Sequence, residues 1–231
     1  MANPSDQAPF PNPFWQALCT EQSGIALGSA LALRYPADVI PFAGLSEPSE
    51  PAMNALRELL TPQESIYITG DHLPDVPGLE RRGCIAGWQM HFSGTIPTPD
   101  PGAPPIATLT AQDSAAMVAL TDAAFPGFFR VRTYILGSYF GIRVDGRLVA
   151  MAGERIAIPG HREISAVCTH PSHTGKGYAG HLLRNILRFH ADNSLRSFLH
   201  VAAPNQRAID LYERLGFEKT SAITFNRFRR T

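Results

Sequence analysis

Residues 174–179, Thr-Gly-Lys-Gly-Tyr-Ala, combine the residue types that bind phosphate groups. Gly175 and Gly177 allow the backbone to come close to a ligand. The helix predicted to follow offers unpaired N–H groups and a partial positive charge at its start, and both favour an anion. Lys176 adds a full positive charge. The segment therefore indicates a phosphate or pyrophosphate site.

Two common nucleotide motifs fit this segment poorly. A P-loop requires Ser or Thr directly after its lysine, whereas Gly177 follows Lys176. The glycine spacing of dinucleotide-binding proteins recurs at Gly175, Gly177 and Gly180, but it lies late in a unit rich in antiparallel strands. That spacing is diagnostic when it follows the first strand of a βαβ unit. Both classes of site are therefore disfavoured.

Two stretches resemble the acetyl-CoA signatures of the GNAT superfamily of N-acyltransferases. Residues 167–179 are similar to the first signature, Arg/Gln-x-x-Gly-x-Gly/Ala, which follows a strand and an x-Pro turn. Residues 205–217 are similar to the second, Asn-x-x-Ala-x-x-x-Tyr-x-x-x-Gly-Phe. The resemblance extends over residues 105–231 and implies an α/β protein with the mixed sheet of the GNAT fold. It departs from the family at Thr174, where Arg or Gln is usual.

The resemblance also implies that acetyl-CoA is the cosubstrate and that no metal is required. The family holds the pyrophosphate mainly through backbone N–H groups, which Thr174 still supplies. The backbone of Val167 and Thr169 is expected to pair with the pantetheine arm like an added strand, and a backbone N–H near Val167 to polarise the thioester carbonyl. The residues expected to bind the cofactor are Val167, Cys168, Thr169, Thr174, Gly175, Lys176, Gly177, Tyr178, Ala179, Asn205, Ala208 and Tyr212.

The implied reaction is direct attack of an amine on the thioester of acetyl-CoA. The amine must lose a proton, so a general base is useful. Glu163 is the expected base and Glu154, on the preceding strand, is its rival, although either could be an ordinary strand carboxylate. Tyr212 is expected to protonate the leaving thiolate, and it also lies on the apolar stripe of its helix. Asn205 can bind the pantetheine arm or cap that helix.

Cys168 lies close in sequence to His170 and His173, which raises two further hypotheses. A Cys/His nucleophile needs an oriented pair in a cleft, and a metal site needs three or four ligands. Because Cys168 belongs to an apolar strand, a small core side chain is the favoured interpretation.

The hydrophobic pattern of the second half predicts the elements that position these residues. Asp145-Gly146 between two apolar runs indicates a β-hairpin. From Ala179 onward, apolar residues recur at the 3–4 spacing of a buried helix face. The predicted strands cover residues 106–110, 139–144, 147–156, 163–169, 197–203 and 217–228, and the predicted helices cover 113–124, a short stretch around 131–137, the stretch from 179, and the stretch after Pro204.

Residues 96–105 contain five prolines and predict a linker between two halves. Residues 106–231 are the predicted catalytic domain. Residues 1–95 are predicted to form a smaller α/β unit that resembles, more weakly, a degenerate GNAT copy. This unit has no phosphate loop, so its expected role is structural or substrate-shaping. Its predicted helices cover residues 14–19 and 49–60, and its predicted strands cover 26–35, 38–43, 65–69 and 84–92.

Composition limits the partners. Lys plus Arg equals Asp plus Glu at 20 each, so the formal net charge is zero and no nucleic-acid surface is expected. Three cysteines far apart predict no disulfide framework and favour a reducing, cytoplasmic setting. The sequence shows no signal peptide and no long apolar run, so no membrane partner is expected. A homodimer is a candidate assembly, since sheet edges in the GNAT fold often support dimers.

The expected acceptor is a primary amine of a small molecule, an amino acid or a peptide. Phe128, Phe129 and Tyr139 could line an acceptor pocket, although core packing explains them equally well. The alternative function is a non-catalytic acyl-CoA-binding module used in regulation.

Overall fold

The computed structural model describes residues 10–96, 98 and 103–231. In this part of the chain one mixed β-sheet of eleven strands carries helices on both faces. The strands are β1 (Leu27–Gly28), β2 (Ala32–Arg34), β3 (Phe42–Leu45), β4 (Ser65–Thr69), β5 (Leu79–Phe92), β6 (Ala107–Leu109), β7 (Tyr139–Val144), β8 (Arg147–Ile158), β9 (His161–Thr169), β10 (Arg196–Ala202) and β11 (Phe217–Arg230). The α-helices are α1 (Pro13–Cys19), α2 (Glu50–Glu58), α3 (Ser114–Ala124), α4 (Tyr178–Asp192) and α5 (Gln206–Arg214).

The strands follow the order β1-β2-β3-β4-β11-β5-β10-β9-β8-β7-β6. Neighbouring strands are antiparallel, apart from the parallel pairs β3–β4 and β9–β10. The predicted α/β class and mixed sheet are therefore confirmed. No helix in the described residues is both long and apolar enough to cross a membrane.

Strand β5 joins the two halves of the chain in one sheet. It lies between β10 and β11 and pairs with both, while β11 continues along β4. β5 begins at Leu79 rather than at the predicted Cys84, because β11 runs beside it as far as Arg230 and supplies partners for its backbone groups. The first half thus contributes a strand directly beside β10.

Several other predicted boundaries differ from the structure. The predicted strand over residues 26–35 is interrupted by a turn in which the Ser29 N–H donates to the Ala32 carbonyl, so β1 and β2 are separate. Of the predicted linker, residues 97 and 99–102 lie outside the described part of the chain. The strand predicted over residues 38–43 begins at Phe42, and the short helix predicted around 131–137 is a 3₁₀ turn, Thr133–Leu136.

Side chains alternate between the two faces of the sheet. Ala150 and Ala152 of β8 pack in the core beneath α4, with Leu182. Met151, between them, faces the other side and packs with Met117 of α3. Within a regular stretch of β8, β9 or β10, odd-numbered and even-numbered residues therefore lie on opposite faces of the sheet, which decides the face that carries each functional side chain.

Strands β9 and β10 separate partway along their length. They pair over residues 161–164 and 196–199. Beyond Ile164, β9 carries a bulge in which Ala166 adopts a left-handed φ of 52°. A bulge bends its strand and adds one residue, so the later residues of β9 change face. The carboxyl ends of the two parallel strands diverge, and the candidate site lies in the gap.

Candidate active site

The glycine-rich loop leads directly into the amino terminus of α4. Gly175 and Gly177 have φ values of 80° and 78°, a backbone conformation that glycine adopts without strain. Gly177 caps α4 without any side-chain hydrogen bond, so no capping side chain occupies the first N–H groups of the helix. The hydroxyl of Thr174 donates to the Pro171 carbonyl (3.2 Å). At the position where this chain departs from the family, the side chain is therefore bonded within its own loop.

A groove of about 670 Å³ runs between this loop and α5. Its lining includes every residue that the sequence predicted to bind the cofactor. Asn205 caps α5, since its side chain accepts from the Ala208 N–H (3.2 Å), and it also borders the groove. The residues predicted for the cofactor that border the groove are Val167, Cys168, Thr169, Thr174, Gly175, Lys176, Gly177, Tyr178, Ala179, Asn205, Ala208 and Tyr212.

Three arginines that the sequence did not single out also border this groove: Arg184, Arg207 and Arg214. Arg184 lies within the first two turns of α4, which follows the loop. No Asp or Glu is among the described residues that line the groove. With Lys176, the groove therefore presents four cationic side chains and favours a highly charged anion.

The edge of β9 that faces the gap carries backbone groups free to bind a ligand. The His170 N–H donates to the Val149 carbonyl of β8 (2.8 Å). Because N–H and C=O directions alternate along an antiparallel ladder, those of Thr169 point away from β8 and into the gap. An extended polar chain could pair there as an added strand.

A second pocket, of about 270 Å³, adjoins the groove through the gap. Its walls are mainly aromatic and aliphatic, and both halves of the chain contribute to them. The three aromatic residues suggested by the sequence, Phe128, Phe129 and Tyr139, all border it. The apolar lining consists of Ile40, Phe42, Tyr67 and Ile85 from the first half, and of Phe125, Phe128, Phe129, Tyr139, Ile164, Ala166, Val167, Val201, Ala202 and Phe225 from the second.

Groove and pocket meet at Tyr212. This residue, with Phe125, Val167 and Asn205, borders both spaces. Its side chain is 8% exposed, and its hydroxyl makes no hydrogen bond within the described residues. Burial, together with the negative charge of Glu163, raises the pKa of Tyr212 to about 12. The hydroxyl therefore keeps its proton at neutral pH and can donate it at this junction.

The Glu163 carboxylate lies behind the pocket and does not line it. It is fully buried, where its two oxygens accept from Arg155 Nε (2.8 Å) and Nη2 (2.5 Å). One oxygen also accepts from His200 Nδ1 (2.7 Å). Burial raises the pKa of Glu163, but the charge of Arg155 and the hydrogen bonds from Arg155 and His200 outweigh burial and lower the pKa to about 2. Only Arg155 and His200 of this group reach the pocket.

Gln89 of β5 fixes the orientation of the His200 ring. The amide of Gln89 accepts from the Phe10 N–H (2.7 Å) and donates to the Phe10 carbonyl (3.1 Å), which identifies its nitrogen. That nitrogen lies 3.0 Å from His200 Nε2, so Nε2 accepts and Nδ1 carries the proton given to Glu163. The sequence could not reveal this link, because Gln89 and His200 lie 111 positions apart.

Glu154 faces the opposite side of the sheet. One oxygen pairs with His190 Nε2 of α4 (2.8 Å), and the other accepts from the Ser138 N–H (2.7 Å). His190 Nδ1 pairs in turn with the Ser197 hydroxyl (2.7 Å). Glu154 borders neither the groove nor the aromatic pocket. Its position is that of a satisfied buried carboxylate beneath α4.

Cys168 is a buried core residue of β9. Burial raises the pKa of its thiol to about 12, so the reactive thiolate is suppressed at neutral pH. His170 and His173 both pair with Ser172 (2.8 and 2.9 Å) on the exposed side of the loop. Within the described residues, no three His, Cys, Asp or Glu side chains are grouped so that they could hold a metal ion.

Comparison with known proteins identifies the class of this chain. A family model described as the GNAT acetyltransferase family matches residues 113–217. A solved structure of a GNAT-family protein from Novosphingobium aromaticivorans is 32% identical in sequence and superposes with a TM-score of 0.87. The match covers 96% of this chain and 98% of that one. The chain belongs to the GNAT acetyltransferase family, and the predicted resemblance is confirmed.

More distant structures share the fold. A GCN5-related N-acetyltransferase from Kribbella flavida has 17% identity and a TM-score of 0.62, with 92% of this chain and 93% of that chain covered. A GCN5-related N-acetyltransferase-like protein from Streptococcus suis has 14% identity and a TM-score of 0.56, with 89% and 82% covered. Both matches extend well beyond residues 113–217, so the fold includes the first half of the chain. No curated protein matches this chain.

Proposed function

We propose that this protein transfers an acetyl group from acetyl-CoA to a primary amine held in the aromatic pocket. One observation carries the proposal: a cationic groove and a small apolar pocket meet at Val167, Asn205 and Tyr212. A long anionic donor in the groove and an amine in the pocket would come together there. Holding two reactants in such an arrangement removes much of the entropic cost of their encounter.

The groove fits the cofactor in charge and in hydrogen-bond donors. The N–H groups at the start of α4 would bind the pyrophosphate, with Lys176 beside them. Arg184, Arg207 and Arg214 supply cations for the remaining phosphate of the nucleotide. The outward edge of β9 at Thr169 would pair with the pantetheine amides. Acetyl-CoA itself supplies the activated acetyl group.

The pocket itself favours the neutral, reactive form of the amine. An alkylamine with an ordinary pKa near 10.4 is neutral in about one molecule in a thousand or fewer at pH 7. Apolar walls, the Arg155 cation and the lack of any Asp or Glu among the described lining residues disfavour the ammonium and lower its pKa. The proton would then leave through water.

We assign Glu163 a positioning role, in place of the base that the sequence suggested. Its pKa of about 2 makes it a weak acceptor. Moving a proton to it from an alkylammonium is uphill by about 8 pKa units, or about 11 kcal/mol. Glu163 instead orients Arg155 and His200 at the wall of the pocket. Tyr212 is the group that would protonate the departing thiolate.

Thermal unfolding with acetyl-CoA is the first test. At 100 times its dissociation constant, a ligand of the folded state adds about 2.7 kcal/mol. Because each kcal/mol is worth about 2–4 °C in a chain of this size, Tm should rise by about 5–11 °C. ATP and NAD serve as controls, and we expect them to shift Tm much less. A stabilised protein that releases no CoA thiol with any amine would indicate a binding module instead of an enzyme. No shift with acetyl-CoA would remove the basis of the proposal.

Replacing Gly177 with alanine should weaken acetyl-CoA binding by about tenfold, the loss of one charge-assisted hydrogen bond. The left-handed φ of 78° disfavours any side chain there, so the loop must shift its N–H groups. Gly146→Ala is a matched control, since Gly146 has a φ of 77° and open space around it but lies in the β7–β8 turn. Each variant should lose about 1–2 kcal/mol of stability, and isothermal titration should show weaker acetyl-CoA binding in Gly177→Ala alone. Equal affinity in the two variants would contradict the assigned loop.

A further inference from the structure

The aromatic pocket carries one strongly polar feature that acetyl transfer does not require, the guanidinium of Arg155. Its side chain is 15% exposed, although it lies deep in the sheet. The planar group lies against two aromatic rings, 4.8 Å from the centre of Phe42 and 5.3 Å from the centre of Phe14. Glu163 holds it from behind through Nε and Nη2. The guanidinium is therefore fixed in place before any ligand arrives.

The Glu163 contact uses only one edge of the guanidinium. Nη1 has no hydrogen-bond partner among the described residues, and it is not one of their buried, unpartnered polar atoms. Because Arg155 borders the pocket, the edge formed by Nη1 and the second N–H of Nη2 is available there. Two parallel N–H groups on a planar fork match the two oxygens of a carboxylate.

The rest of the pocket is suited to an apolar body. Phe128 lies 5.8 Å from Phe42 and 5.1 Å from Tyr67, ring centre to ring centre, so that the three rings form a continuous wall. The volume of about 270 Å³ lies near the lower end for small-molecule sites. No Asp or Glu among the described lining residues could pair with a second ammonium group. Polyamines and lysine-rich peptides are poor fits for this chemistry.

From this geometry we infer that the acceptor is a small amino acid with an aromatic or branched aliphatic side chain, whose carboxylate binds the free edge of Arg155. This inference rests on the proposed acetyl transfer and names its substrate class. The apolar side chain lies against the wall of Phe42, Tyr67 and Phe128. The amine attacks the thioester carbon, forms the new amide bond and loses one proton, while CoA leaves as the thiol.

Acceptors that differ only in the carboxylate test the inference without any mutation. CoA release is measured with acetyl-CoA and L-phenylalanine, L-phenylalaninamide or phenethylamine, and with L-leucine against 3-methylbutylamine. We expect kcat/KM to be about 10- to 100-fold higher for the acids, the range of a charge-assisted hydrogen-bonded contact. The amide has the less basic amine, so it would be the better acceptor if ionisation alone decided.

Arg155→Lys provides the matched variant. Lysine keeps a positive charge for Glu163 but lacks the planar fork. We expect the ratio of kcat/KM for L-phenylalanine to kcat/KM for phenethylamine to fall about tenfold or more, with KM for L-phenylalanine rising, whereas a purely structural role would lower both values alike and leave the ratio unchanged. Equal or better turnover of the amines by the wild-type protein would overturn the inference and leave acetyl transfer intact. If acetyl-CoA stabilises the protein but neither class is acetylated, the substrate class is wrong, and if acetyl-CoA does not bind, the inference fails together with the proposed function.

Discussion

Replacing Tyr212 with phenylalanine is expected to lower kcat by about a hundredfold, while acetyl-CoA affinity stays within about threefold of wild type. General-acid catalysis typically raises the rate by about 10²- to 10⁴-fold. Because a thiolate is a good leaving group even without a proton, we expect the lower end of this range. The Tyr212 hydroxyl makes no hydrogen bond within the described residues. Phenylalanine therefore keeps the ring packing on Phe217, at 5.9 Å, and stability should change by less than about 0.5 kcal/mol.

Tyr134→Phe is the matched control for this prediction. Tyr134 borders neither the groove nor the aromatic pocket, so its substitution should leave kcat unchanged. Steady-state release of CoA thiol gives kcat for both variants, and calorimetric titration gives the affinity for acetyl-CoA. An unchanged kcat in Tyr212→Phe would show that water or another group protonates the thiolate. A loss of affinity equal to the loss of rate would assign Tyr212 to binding alone.

Replacing Glu163 with glutamine is expected to destabilise the protein by about 3–5 kcal/mol, the cost of leaving a buried cation without its partner. The amide preserves the shape of the side chain but removes the charge that compensates Arg155. Urea unfolding at pH 7 measures the loss. Glu213→Gln is the control, because Glu213 forms an exposed pair with Lys219 (3.0 Å) and should cost about 1 kcal/mol or less.

The same carboxylate gives a pH dependence with a defined sign. The pKa of Glu163 falls on folding, from 4.5 to about 2. The contribution of Glu163 to the free energy of unfolding is therefore complete above about pH 4.5 and is lost as the pH falls through about 2. This contribution amounts to about 3 kcal/mol in total. The stability difference between wild type and Glu163→Gln should shrink over this window. A difference that is constant from pH 5 to pH 2 would show that Glu163 is not held ionised by Arg155.

A double-mutant cycle separates the pair from its surroundings. Arg155→Met and Glu163→Gln each leave one buried charge or polar group unpartnered, so the two losses are not independent. The double variant should be less destabilised than the sum of the single variants. Additive losses would mean that the two side chains stabilise the fold through separate contacts. Because stability is expected to fall in Glu163→Gln, a lower kcat in that variant would not by itself identify a general base.

The loop and the helices around it could be predicted from the sequence, because the interactions that shape them are local. The glycines at 175 and 177 adopt the left-handed conformation that only glycine takes freely. The apolar spacing of α4 and the Asn205 cap of α5 depend on residues within one or two turns. All twelve residues expected at the cofactor therefore lie along one groove. Their contacts with acetyl-CoA stay a prediction until binding is measured.

Only the tertiary structure shows how the aromatic pocket is formed. Its wall combines Phe42 and Tyr67 of the first half with Phe225 of the last strand, because β11 lies between β4 and β5 in the sheet. Glu163 begins its predicted strand, and the sequence suggested that its carboxylate acts as a base. In the structure it is buried and paired with Arg155, and this pairing depends on the register of β8 and β9, which is shifted along the strands. Strand order and register are set by packing between distant segments, which local residue preferences do not encode.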